Sequence, residues 1–132
     1  MPAGRVLVID DDADVRKLVR ATLAKDGYDV VEAEDGEDGI RAVQPSDDPP
    51  KFDVILCDLM MPNVGGWEAI AYFRSYCPAI PVIVMTAKDD VQSVLTSFEL
   101  RTVNYLLKPV RPGQLKAAVA KAIGATKRDR HA

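Results

Sequence analysis

The sequence predicts one α/β domain built on a doubly wound, five-stranded parallel sheet with helices on both faces. Short apolar runs alternate with segments of helical periodicity five times along the 132 residues, and this alternation is typical of parallel strands joined by helical crossovers. A chain of this length can bury a substantial core as a single domain. We therefore expect three layers, with the ligand site beyond the carboxyl ends of the strands.

The predicted strands are short and aliphatic, as strands buried on both faces should be. They cover residues 5–9, 28–33, 54–57, 81–85 and 104–107. The predicted helices cover residues 14–26, 36–43, 67–76, 90–100 and 112–123. Gly27 is expected to cap the first helix and Pro112 to begin the last. We expect the domain to occupy residues 1–124 and a polar tail, which frays, to occupy 125–132.

Composition excludes several classes of protein. The net charge of −3 argues against nucleic acid as the main partner, because phosphate binding needs a basic face. No apolar run approaches the roughly 20 residues of a membrane span. His131 is the one histidine, which disfavours a histidine phosphodonor, a triad hydrolase and a zinc enzyme. Cys57 and Cys77 follow apolar or aromatic residues and are interpreted as reduced thiols of a cytosolic protein.

Polar residues follow four of the five predicted strands, and the topology predicts that they converge at one edge of the sheet. In chain order they are Asp10-Asp11-Asp12, Asp58, Thr86 and Lys108-Pro109. Crowded carboxylates repel one another unless a cation intervenes, and Mg²⁺ prefers a few carboxylates together with water and phosphate oxygens. Asp58 would then be a carboxylate nucleophile, Lys108 a counter-charge and Thr86 a hydrogen-bond donor in phosphoryl transfer.

Simpler roles remain open for several of these residues. Acidic residues before a helix also serve as its N-terminal cap and first-turn acids, a role given mainly to Asp12 or Asp14. Thr86 could be an ordinary residue at the start of a helix, and Tyr105 a plain core or surface aromatic.

Four segments resemble the response-regulator receiver domains, in that family's order and spacing. They are VLVIDDDADVR, FDVILCDLMMPNVGGWE, PVIVMTAKDD and NYLLKPV. The resemblance extends from about residue 5 to residue 123 and implies the flavodoxin-like strand order 2-1-3-4-5.

The resemblance implies a phosphorylation and metal site. Asp58 matches the phospho-accepting aspartate, and Asp10 and Asp11 match the acidic pair. Asp11 would be a direct Mg²⁺ ligand, whereas Asp10 would act largely through water. Met60 matches the position whose backbone carbonyl completes the protein's share of the metal shell. Mn²⁺ would be an acceptable substitute for Mg²⁺.

The resemblance also implies a switch. Thr86 matches the switch hydroxyl, Lys108 the lysine of the site, and Pro109 a proline that is commonly cis in the family. Tyr105 matches the aromatic residue that moves inward when the hydroxyl is drawn to the phosphoryl group.

The sequence departs from the family pattern around this switch. Arg101-Thr102 replaces a common Gly-Ala pair, Val110 replaces a common aromatic residue, and the small Ala87 follows Thr86. These departures put in doubt which surface responds, but they leave the four chemical groups of the site in place.

The expected function is that of a phospho-accepting signalling domain, and not of an enzyme acting on external substrates. A sensor histidine kinase or a histidine phosphotransfer protein would supply the phosphoryl group in the cytoplasm. The responding surface would comprise the fourth helix, fifth strand and fifth helix, on a monomer or weak dimer without nucleic acid or membrane contacts. The output would be a separate partner or an attached DNA-binding or messenger-making domain.

Two other classes share parts of this pattern. An aspartate-nucleophile phosphatase typically has a second acid two residues after the nucleophile, where this chain has Met60. A flavin-binding module of the same topology would need hydroxyl- and glycine-rich phosphate loops where this chain has three aspartates.

Overall fold

The computed structural model describes residues 3–44, 52–59, 65–90 and 104–131. Its five strands form one parallel sheet in the order β2-β1-β3-β4-β5. The strands are β1 Gly4–Ile9, β2 Tyr28–Ala33, β3 Val54–Asp58, β4 Val82–Thr86 and β5 Asn104–Leu107. This order confirms the predicted fold class.

Four α-helices and one short 3₁₀-helix lie within the described residues. They are α1 Ala13–Ala24, α2 Gly36–Val43, α3 Gly66–Tyr76, the 3₁₀-helix Lys88–Asp90 and α4 Pro112–His131. The helix predicted over residues 90–100 falls, apart from its first residue, outside the described part of the chain. The last helix, α4, is therefore the one predicted as the fifth.

Two hydrophobic cores, one on each face of the sheet, hold the three layers together. Successive residues of β1 point to opposite faces, so Val6 and Val8 join one core while Leu7 and Ile9 join the other. The first core packs the sheet against α1 and α4, and the second packs it against α2 and α3. Because β1 and β3 are buried along nearly their whole length, the residues that follow them are fixed closely in space.

The structure moves several predicted boundaries. β3 and β4 each run one residue further and include Asp58 and Thr86. α1 ends at Ala24, two residues early, because the last backbone bonds span three residues and Gly27 adopts a φ of 86°.

The last helix is longer than predicted. The expected end at residue 123 was wrong, because α4 continues through His131. Lysine, arginine and alanine have high helix propensity, so polar composition alone does not end a helix. The proposed division between a domain over 1–124 and a tail over 125–132 stays a prediction. Although α4 has 20 residues, no helix in the described part has the length and apolar character needed to cross a membrane.

Ion pairs tie α1 to the edge strand β2. Arg20 Nε lies 2.6 Å from one carboxylate oxygen of Glu32, and Arg16 Nε lies 3.1 Å from the other. The hydrogen bond from Arg20 is the main reason that the pKa of Glu32 is lowered, against the opposing effect of partial burial. Since the ionised form is favoured on folding, Glu32 contributes stability above its ordinary pKa of about 4.3, and this contribution is lost as pH falls through the lower folded-state pKa.

We expect Glu32→Gln to lower the free energy of unfolding by about 0.5 kcal/mol at neutral pH, because the pairs are partly exposed and screened by solvent. The difference from the wild type should shrink in acid, where Glu32 is protonated in both states. Denaturant unfolding at neutral and acid pH measures it. Glu37→Gln is the control, because Glu37 pairs with Arg41 within α2 and is 60% exposed. A Glu32→Gln difference that grows in acid would contradict the assignment.

Candidate functional site

The register of the sheet brings the predicted polar residues to one edge. Ile9 pairs with Cys57 across β1 and β3, so Asp10 and Asp58, the next residues, are neighbours. On the other side, Asp58 pairs with Met85 of β4, which places Thr86 one residue beyond. The edge therefore collects residues that are far apart in sequence, as predicted.

Three carboxylates and one ammonium group form the centre of this site. Oxygens of Asp10, Asp11 and Asp58 all lie within 4.8 Å of one another. The Lys108 Nζ atom lies 2.9 Å from Asp10 Oδ2 and 3.2 Å from Asp58 Oδ1. Asp10 and Asp58 are buried and Asp11 is exposed, so the cluster opens to solvent on the Asp11 side.

Electrostatics hold Lys108 in its charged form. Burial by itself lowers the pKa of Lys108, but the contacts with Asp10 and then Asp58 outweigh it and raise the pKa above its ordinary value. One ammonium group neutralises at most one of the three carboxylates, and the remaining like charges repel in a partly buried setting.

The oxygens of the cluster fit a hard divalent cation. Asp10 Oδ2 is buried, and its contact among the described residues is the 2.9 Å ion pair with the Lys108 ammonium. A buried carboxylate oxygen of this kind has unused acceptor capacity and favours a cation. Carboxylates on an open, partly hydrated edge suit Mg²⁺, which usually keeps several waters.

Backbone contacts fix the acidic loop after β1, which comprises Asp10, Asp11 and Asp12. The Asp12 amide donates to Asp10 Oδ1 at 2.9 Å, and the Asp14 amide donates to Asp12 Oδ1 at 2.9 Å. The second bond makes Asp12 the N-terminal cap of α1, which confirms the role given to it from the sequence. Asp10 and Asp11 are thus left for the cluster.

Arg16 of α1 contacts this loop, and sequence reasoning missed this role. Its Nη1 atom donates to the Asp10 carbonyl at 2.7 Å, while its Nε atom binds Glu32 at 3.1 Å. The side chain is 12% exposed, so it is held firmly between β2 and the acidic loop. Nothing in the sequence indicated this contact, because a basic residue on a helix such as α1 is usually exposed to solvent.

Thr86 and Lys108 are linked through the backbone. The Lys108 amide donates to the Thr86 carbonyl at 2.8 Å, extending the pairing of β4 with β5. The Thr86 hydroxyl is buried and donates to the Ala87 carbonyl at 3.3 Å, a long bond that is readily given up. The Lys108-Pro109 peptide bond is cis, as the resemblance implied.

Tyr105 lies apart from this cluster. It is 40% exposed on β5, three residues before Lys108. Together with Asn104, Ala118 and Lys121 it lines a cavity of about 250 Å³ between β5 and α4. Its proposed switch role therefore stays a prediction, and Met60 lies outside the described residues.

The two cysteines take no part in disulfide bonding. Both are free, and burial raises the pKa of the Cys57 thiol above its ordinary range, so that it is protonated. Cys57 thus acts as a small core residue next to Asp58.

Known proteins that resemble this chain in sequence and in structure indicate one family. The family model described as "Response regulator receiver domain" matches residues 6–120. The chain is 34% identical over 119 residues to the probable transcriptional regulator ycf27 of Porphyridium aerugineum, covering 90% of this chain and 48% of that protein. It is 33% identical over 115 residues to the alkaline phosphatase synthesis transcriptional regulatory protein PhoP of Bacillus subtilis, covering 87% of this chain and 46% of that protein.

A solved receiver-domain structure superposes on this chain over nearly the whole length of both. The REC domain of AraT, a response regulator from Geobacillus stearothermophilus, superposes with a TM-score of 0.82 at 31% identity, covering 96% of this chain and 98% of that chain. The chain spans about half the length of the curated relatives it matches. It belongs to the response-regulator receiver domains.

Proposed function

We propose that Asp58 is the phosphoryl acceptor of this receiver domain and that Asp10, Asp11 and Asp58 bind Mg²⁺. The observation that carries the proposal is the position of Asp58, 3.2 Å from the Lys108 ammonium and within 4.8 Å of two other carboxylates. A nucleophilic carboxylate beside a cation and a metal-binding pair suits in-line phosphoryl transfer. The resemblance adds the backbone carbonyl of Met60 as a further ligand and Mn²⁺ as a substitute ion.

The chain's own groups then have distinct tasks. An Asp58 carboxylate oxygen attacks phosphorus, the bond from phosphorus to the donor nitrogen or oxygen breaks, and an acyl phosphate forms on Asp58. Lys108 neutralises negative charge on the transferring group, and Asp10 holds Lys108 in place through the 2.9 Å ion pair. Bound Mg²⁺ would supply further charge neutralisation for phosphate oxygens.

Thr86 couples the new charge to the sheet. We propose that its hydroxyl leaves the 3.3 Å bond to the Ala87 carbonyl and donates to a phosphoryl oxygen, which makes a stronger, charge-assisted bond. Because the Lys108 amide is bonded to the Thr86 carbonyl, both residues that face the phosphoryl group belong to one hydrogen-bonded strand pair. A change there biases the end of β5, and with it the surface that contains Tyr105.

Family membership supports a proposal for the phosphodonor and for the output. We propose that a histidine kinase, a histidine phosphotransfer protein or a small phosphodonor phosphorylates the domain in the cytoplasm, and that it turns over no external substrate. The ycf27 protein is named as a probable transcriptional regulator and PhoP as a transcriptional regulatory protein, and this chain aligns with about half of each, which supports an output made by a further domain or a separate partner.

The phosphoacceptor is tested with beryllofluoride and acetyl phosphate in the presence of Mg²⁺. We expect the wild type to show amide chemical-shift changes with beryllofluoride and to gain one phosphoryl group by intact mass. Asp58→Asn should do neither, because it lacks the nucleophilic carboxylate. Asp29→Asn is the control, since Asp29 pairs with Arg5 and is 53% exposed. Labelling that survives Asp58→Asn, or needs no divalent ion, would refute the proposal.

Lys108→Met tests the charge balance of the site. Without Mg²⁺ we expect the free energy of unfolding to fall by about 2 kcal/mol, because the buried carboxylates of Asp10 and Asp58 lose their partly exposed cationic partner. Mg²⁺ should bind more tightly than to the wild type, since the site gains net negative charge, whereas the phosphorylation rate should fall by about 100-fold.

The matched control for Lys108 is Lys116→Met, because Lys116 pairs with Asp26 at 3.6 Å and both side chains are at least 40% exposed. This change should alter the free energy of unfolding by less than about 0.5 kcal/mol. Calorimetric Mg²⁺ titrations and denaturant unfolding measure both effects. Weaker Mg²⁺ binding by Lys108→Met would contradict the proposed charge balance.

Thr86→Ala tests whether Thr86 couples phosphorylation of Asp58 to β5. We expect Asp58 to be phosphorylated at a rate within about tenfold of the wild type, because the hydroxyl is not a nucleophile or a metal ligand. The chemical-shift changes of the β5 amides on phosphorylation should be largely lost. Thr86→Ser, which keeps a hydroxyl, should retain them. Equal β5 responses in Thr86→Ala and the wild type would refute the role of Thr86.

A further inference from the structure

Gly66, the first residue of α3, lies against the backbone of Asp58. A β-carbon added at this position would lie 2.0 Å from the Asp58 carbonyl oxygen, 2.5 Å from Leu59 Cα and 2.8 Å from the Asp58 carbonyl carbon. These are all backbone atoms, so none can rotate away as the end of a side chain would. The close approach therefore requires glycine at this position.

The contact joins a helix to the strand end that carries the proposed acceptor. The Gly66 amide donates to the Leu59 carbonyl at 3.2 Å, and the Leu59 amide approaches the Met85 carbonyl at 3.4 Å. Asp58 is 4% exposed and Leu59 is 2% exposed. The Asp58–Leu59 peptide is thus enclosed between β4 on one side and the first turn of α3 on the other.

Two other helical glycines of the chain are not crowded by backbone atoms in this way. A β-carbon at Gly113, in the first turn of α4, would meet nothing within 4 Å, and one at Gly39 would meet the flexible side chain of Ile9. Gly66 has no positive φ, unlike Gly27, so backbone conformation does not explain it. Glycine is also a poor helix former, which leaves packing against Asp58 as the reason for its presence.

We propose that Gly66 is a positioning residue for Asp58. Its lack of a side chain lets the first turn of α3 rest on the Asp58 peptide, and this contact sets the direction in which the Asp58 carboxylate leaves the strand. The inference rests on the proposed role of Asp58 as phosphoryl acceptor. A misplacement of about 1 Å at a nucleophile is enough to slow a positioned reaction by about 100-fold.

The test compares Gly66→Ala with two matched variants. Gly113→Ala makes the same chemical change at the start of a helix with open space around it. Val119→Ala removes volume from the first core at a fully buried position of α4, so it lowers stability through a cluster that does not include Asp58. For each variant the phosphorylation rate with acetyl phosphate is measured as a function of Mg²⁺ and donor concentration, together with the unfolding midpoint.

We expect Gly66→Ala to slow phosphorylation by about 10- to 100-fold at saturating Mg²⁺ and donor, because the carboxylate is misdirected. Gly113→Ala should react at the wild-type rate. Val119→Ala should unfold at lower denaturant concentration and still react at the wild-type rate while folded. A Gly66→Ala protein that is folded and reacts as fast as the wild type overturns the proposal.

A measurement on the wild type covers the case in which Gly66→Ala does not fold. Addition of beryllofluoride with Mg²⁺ should shift the Gly66 amide resonance well beyond that of Gly113, and Asp58→Asn should abolish the shift. An unshifted Gly66 amide overturns the inference. Failure of the wild type to react at Asp58 would instead refute the proposed function, so the two failures are distinguishable.

Discussion

The structure depends on the confinement of like charges at one edge of the parallel sheet. Three carboxylates share a space in which their oxygens lie within 4.8 Å of one another, and two of these residues are buried. Such an arrangement is unfavourable unless cations compensate it. Lys108 provides part of this compensation, and the negative charge that it leaves uncompensated would attract the proposed divalent ion. The same repulsion that opposes folding at this edge would therefore favour binding of that ion.

The hydrophobic core makes this confinement possible. β1 and β3 are buried along nearly their whole length between the two cores, so their register cannot slip without turning apolar side chains outward. A slip would expose several aliphatic side chains that are 0% exposed in β1 and β3, each at a cost of about 1.5–3 kcal/mol. The apolar residues of the strands thus hold together charged residues that would otherwise separate.

Much of this arrangement could be predicted from the sequence, because it follows from periodicity and strand ends. The five strands, the convergence of Asp10, Asp58 and Lys108, and the cap at Asp12 all depend on local patterns that a single chain displays. The role of Arg16 could not be predicted from the sequence, since its partners are the Asp10 backbone carbonyl and Glu32 on β2. Gly66 lay just outside the helix predicted over residues 67–76, whereas the observed helix begins at Gly66; glycine within the first turn of a helix indicates close packing. The end of α4 was misjudged because polarity was taken as a sign of fraying.

The contact between Gly66 and Asp58 has a practical consequence through the next residue. Trp67 is the single tryptophan of the chain, and it is partly buried against the core between the sheet and α3. Any displacement of the Asp58 peptide that moves the first turn of α3 will change the surroundings of its indole ring. The domain thus contains an intrinsic fluorophore one residue from the contact, and its emission can follow events at the acidic edge in real time without a label.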